Sequence, residues 1–119
     1  MRMWMVEPNL LCRKHLLGEH SEIHKHKHNF EKGHSFKGRV QPVVQIEPLS
    51  MQQRHDELVK EMIKRGYNHK SPYTQPSLHK YTPEQISVKV DKQNSIKDLL
   101  TRCQECKILI EGKTNGTIQ

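Results

Sequence analysis

Residues His15 to Phe30, HLLGEHSEIHKHKHNF, hold five of the chain's nine histidines together with two glutamates and two lysines. Metal coordination, phosphate binding and acid–base catalysis could each use that mixture. His20, His24 and His28 stand at i, i+4 and i+8, along one flank of a helix. Such a row binds zinc when a third or fourth protein ligand lies in reach. The spacing supplies none, so these histidines read as a solvated helix face. Cys103 and Cys106, in CQEC, have half the spacing of a zinc ribbon without a second CxxC, and Cys103 reads as a helix-packing residue. Neither a metal nor an organic cofactor is assigned.

On the opposite flank His15, Glu19, Glu22 and His26 gather beside an apolar stripe. A carboxylate at the margin of a core is partly desolvated, which raises its pKa and suits proton transfer. The first residues add a second reactive group. Initiator methionine is normally removed only before a small residue, and Arg2 is bulky, so the expected N-terminus is the α-amine of Met1. An α-amine titrates near about 7.7–8.0 against about 10.4 for lysine, so a useful fraction is neutral at pH 7. Amine and carboxylate together suit imine chemistry at a sugar C1′.

These groups need elements to position them. Met1 to Val6 reads as an extended arm that stops at Pro8. From about Asn9, Cys12, Leu16, Ile23 and Phe30 recur at spacings of four and seven, which predicts a helix ending at Gly33. Gly38 to Pro48 is a connector with a short extended piece. Ser50 and Gln53 form a capping-box pattern ahead of Met51, Leu58, Val59, Met62 and Ile63, and Gly66 follows Lys64 and Arg65, so 51–65 is read as a helix. Three prolines make 67–84 a loop, and Thr82-Pro83-Glu84 could open a turn. Ile96, Leu99, Leu100 and Cys103 predict a third helix to about Ile108, with a frayed tail over 111–119. The expected fold is all-α: one small domain of about three helices over 1–119, with long loops and the arm packed near the helices.

Composition narrows the partners. Of 119 residues 33% are apolar and 28% charged, and the formal charge is +7. A chain of this kind builds a small core, and its basic excess suits a polyanion, because neutralised phosphates release counterions. No apolar run approaches the roughly 18 residues of a membrane span. The N-terminal apolar stretch is too short for a signal peptide. Three cysteines, an odd number, favour a reducing compartment. The expected setting is the cytoplasm, on the nucleoid, of a bacterium or of one infected by a phage.

LCRKHLLGEHSEIHK followed by QRHDELVKEMIKRGYN resembles the small phage pyrimidine-dimer DNA glycosylases of the endonuclease V type. The resemblance spans residues 1 to about 102, with a shortened connector. It implies that the Met1 α-amine is the nucleophile and Glu22 the essential carboxylate; the 21-residue interval agrees with the family. It also implies that Arg2, His15, Lys25, Lys64 and Arg65 contact DNA, and that Tyr81-Thr82-Pro83 precedes the third helix. Ser21 replaces a second helix-one arginine, and ECKILI replaces an aromatic-rich C-terminal stretch used in damage recognition. The implied activity is a DNA glycosylase with AP lyase activity, acting as a monomer on duplex DNA that carries a pyrimidine dimer or another damaged or modified base. Two other readings use the same composition: a non-catalytic basic DNA-binding protein, and a metal nuclease with ligands in HKHNF.

Overall fold

The structure is a computed structural model that describes residues 2–69 and 72–118, with side chains described through residue 112. Five α-helices occur among them: α1 (Arg13–Lys32), α2 (Met51–Lys64), α3 (Pro83–Ile86), α4 (Lys92–Arg102) and α5 (Gln104–Ile118). No strand is found among the described residues. A 3-10 turn, Pro8–Leu10, joins the arm to α1.

The apolar stripe behaves as its periodicity predicts. Cys12, Leu16, Ile23 and Phe30 are all buried, although the helix begins at Arg13, after that turn, rather than at Asn9. Gly33 stops α1 in the left-handed conformation at φ 75°, its N–H reaching Asn29 and Phe30 carbonyls. Two polar side chains share the buried stripe, Glu19 and His26.

The second helix closely matches its expected range, and Gly66 follows it at φ 85°. Its expected capping box does not form. Ser50 Oγ donates instead to Glu47 Oε1 at 3.0 Å, and Val90 N–H donates to Glu47 Oε2 at 2.8 Å. Glu47 is only 5% exposed, and a buried carboxylate requires donors more than a helix end that water can reach. Ile63, expected on the apolar face, is 61% exposed.

The predicted third helix is two. Cys103 takes an extended backbone, φ −131° and ψ 109°, and separates α4 from α5. The latter stays helical to Ile118, through the segment expected to fray. Thr82 and Gln85 form the reciprocal cap of the short α3.

Met3, Trp4 and Val6 of the arm enter the same core as Leu16, Ile23, Leu58, Met62 and Leu99. At its centre Arg54 of α2 grips Glu19 of α1 with two bonds, Nε to Oε2 at 2.6 Å and Nη2 to Oε1 at 3.0 Å. Both side chains are 2% exposed or less. Removing one partner strands a buried charge. Arg54→Met should lower stability in urea denaturation by about 3 kcal/mol, and Glu19→Leu/Arg54→Met should recover most of it.

Candidate active site

Glu22 lies one turn beyond Glu19 on α1, and its side chain is 12% exposed. Its Oε2 is 3.3 Å from Nε2 of His26, one turn further along. Burial holds His26 below its ordinary pKa against the pull of Glu22, and its ring stacks on Phe30 at 5.9 Å. A neutral imidazole therefore flanks the carboxylate near neutral pH.

The arm is packed against the first turn of α1. Met3 N–H donates to Gln45 O at 2.9 Å, and the Trp4 ring meets His15 edge-on at 5.4 Å. Arg2 is 8% exposed, with its guanidinium 4.7 Å over the Trp4 ring. Its Nη2 donates to Ser95 Oγ at 3.1 Å and to Val44 O at 3.4 Å, and Nη1 is 4.0 Å from Asp98. Burial lowers the Arg2 pKa, while Asp98 and Glu19 support its charge. Met1, the expected nucleophile, lies outside the described residues. A cleft beside the arm is lined by Arg2, Trp4, His15, Arg39, Asn94 and Arg102.

Three expected DNA contacts also make contacts within the protein. Arg2 spends its donors inside the protein on Ser95 and Val44. Arg65 donates to Leu11 O at 2.6 Å, Pro8 O at 3.2 Å and Glu61 Oε2 at 2.8 Å, so it clamps the turn ahead of α1. His15 Nδ1 faces sulfur: Cys12 Sγ at 3.2 Å and Cys106 Sγ at 3.5 Å. Lys25 and Lys64 are exposed.

The histidine flank is not a solvated face. His20 and His24 are half-buried and are joined by His55 of α2 and His69 of the following loop; His28 alone of the row is exposed. The ligand atoms of these four lie within 4.8 Å of one another, as do those of Cys12, His15, Cys103 and Cys106. Either set could hold a metal ion. The second was legible in part, because Cys12-x-x-His15 repeats the spacing of Cys103-x-x-Cys106 with one imidazole in place of a thiol. His55 and His69 carry no such signal, since only the fold brings them to α1.

The family model for pyrimidine dimer DNA glycosylases matches residues 1–75 of this chain. The chain belongs to that family. The match covers the arm, α1 and α2 and ends before Tyr81-Thr82-Pro83, short of the expected span to about residue 102. Comparison with curated proteins and with solved structures finds no match. Residues 76–119 of this family member therefore stand on their own structure, which includes the Ser95 and Asp98 contacts to Arg2.

The roles of the adjacent cations separate by substitution. Arg65→Ala, which frees two backbone carbonyls and Glu61, should lower stability by about 2 kcal/mol. Lys64→Ala should stay within about 0.5 kcal/mol of the parent in the same urea titration.

Proposed function

We propose that this protein is a DNA glycosylase with AP lyase activity, acting on pyrimidine dimers or another damaged base in duplex DNA. The observation that supports the reading is the burial of the chain's first residues against the first turn of α1, the helix that bears Glu22 two turns further on. Membership of the pyrimidine dimer DNA glycosylase family supports it independently.

In this reading the neutral α-amine of Met1 attacks C1′ as the bond from C1′ to the base breaks. Glu22 assists opening of the sugar ring and transfers the proton, with His26 beside it. The ring oxygen leaves C1′ as a hydroxyl, and a C1′ Schiff base with the amine remains. Loss of a C2′ proton then expels the 3′ phosphate by β-elimination, and water releases the enzyme from the sugar. Lys25 and Lys64 hold phosphates, and extrusion of a weakened base supplies part of the selectivity. No step requires a metal.

Borohydride reduction during incubation with abasic and ultraviolet-damaged duplexes should give a covalent protein–DNA adduct. Glu22→Gln should bind the same duplex but cleave it about 100-fold or more slowly. The reading fails if a chain with a free α-amine gives no adduct, or if acetylation of that amine leaves strand cleavage intact. Salt-sensitive binding without cleavage would mark a non-catalytic DNA-binding protein.

A further inference from the structure

We infer that Cys12, His15, Cys103 and Cys106 form a structural zinc site that ties the start of α1 to the start of α5. The four donors come as two pairs of the same construction. Cys12 caps α1 and His15 lies in its first turn; Cys103 precedes α5 and Cys106 lies in its first turn. Each helix start thus presents two donors three residues apart, and the two starts face each other.

The spacing of the donors is that of a coordination shell. Cys12 Sγ and Cys103 Sγ are 3.8 Å apart, and His15 Nδ1 is 3.2 Å from Cys12 Sγ and 3.5 Å from Cys106 Sγ. With Zn–S near 2.3 Å and Zn–N near 2.0–2.1 Å, a tetrahedron has sulfur–sulfur edges of about 3.8 Å and sulfur–nitrogen edges of about 3.6 Å. These three edges lie within a few tenths of an ångström of those lengths, and all four donor atoms lie within 4.8 Å of one another. A disulfide does not describe the cluster, because it would draw two sulfurs to about 2.0 Å and leave the third thiol over. All three cysteines are free.

The surroundings suit thiolate ligands. Cys12 N–H points at Cys106 Sγ at 3.2 Å, and Cys106 N–H at Cys103 Sγ at 3.5 Å, so backbone donors offset negative charge on two sulfurs. Cys12 and Cys106 are buried, and the Trp4 ring covers His15. Three thiolates and one imidazole select zinc over magnesium or calcium, and four protein donors leave no position for a reactive water. The site is therefore structural, and it stands or falls independently of the glycosylase reading.

The test uses the untagged, reduced full chain purified without chelator. Cobalt should replace zinc and give the intense visible bands of a tetrahedral ion with a thiolate-to-cobalt charge-transfer band, and Cys103→Ser/Cys106→Ser should lose that band. A weak octahedral spectrum without charge transfer in the parent protein would overturn the site, whether or not the variant folds.

The geometry points to a second ion at His20, His24, His55 and His69, on separate observations. His20 Nε2 and His69 Nε2 are 3.0 Å apart, and neighbouring rings lie at centroid distances between 4.7 and 5.2 Å. Nε2 of His24 and Nε2 of His55 are buried with no hydrogen-bond partner. Asp56 Oδ1, 3.1 Å from His55 Nδ1, favours the proton there and turns the Nε2 lone pair inward, the usual way a carboxylate orients a metal-bound imidazole. Four facing imidazoles suit a divalent first-row transition ion, with zinc as the probe.

Zinc titration of metal-free protein should saturate at two ions per chain, and His24→Ala/His55→Ala should bind one and keep the cobalt–thiolate band. Saturation at one ion would overturn the histidine site. So would imidazole resonances of the parent protein that do not move as the second equivalent of zinc is added, a readout that needs no variant.

Discussion

The Glu19–Arg54 pair is the contact on which the arrangement of α1 and α2 depends. A 20-residue helix with this little apolar surface has few ways to fix its rotation against a neighbour. A bidentate guanidinium–carboxylate bond fixes it, because both charges are buried and every other rotation would leave them unpaired. Once Glu19 faces Arg54, the three- and four-residue steps along the helix settle the rest. Leu16, Ile23 and Phe30 go into the core with His26, Glu22 sits beside His26 at its edge, and His20 and His24 face His55. One buried ion pair thereby aims three different sets of side chains.

The small core sets the second constraint. A chain in which 33% of residues are apolar has limited hydrophobic area to hold its two ends together. Polar contacts add to the core the ends share: Arg2 to Ser95, and the cluster that brings Cys12 beside Cys103 and Cys106. A link closing a loop of this length removes much conformational freedom from the unfolded chain, where a contact between near neighbours would remove little.

The sequence shows clearly what repeats locally. The α1 stripe, the bounds of α2 and the glycines that end both helices follow from spacing and backbone conformation. Other features depend on distant partners. Nothing local makes Ser50 prefer Glu47 to the end of α2; the preference comes from burial of that carboxylate under Val90. The break at Cys103 interrupts a good helical pattern, and its backbone turns where Cys103 and Cys106 meet Cys12 and His15. Arg2 and Arg65 read as DNA contacts through the family resemblance, whereas their donors bond within the protein to partners that only the fold brings near. Glu22 is an expectation of the family resemblance, and the approach of His55 and His69 to α1 is not legible at all, since no short spacing links them to it.

The position of His15 connects the two ends of the argument. It lies in the first turn of α1, touches the Trp4 ring of the arm, and faces Cys12 and Cys106. Glu22 is two turns further along the same rigid helix. Whatever fixes His15 therefore fixes the distance between the arm and Glu22, because a helix transmits the placement of its first turn with little loss. The segment beyond the family match supplies Cys103, Cys106, Ser95 and Asp98, all of which bear on the arm or on the start of α1. In this protein the C-terminal third acts as a brace for the N-terminal one. ECKILI takes part through its cysteine, which faces inward toward the start of α1.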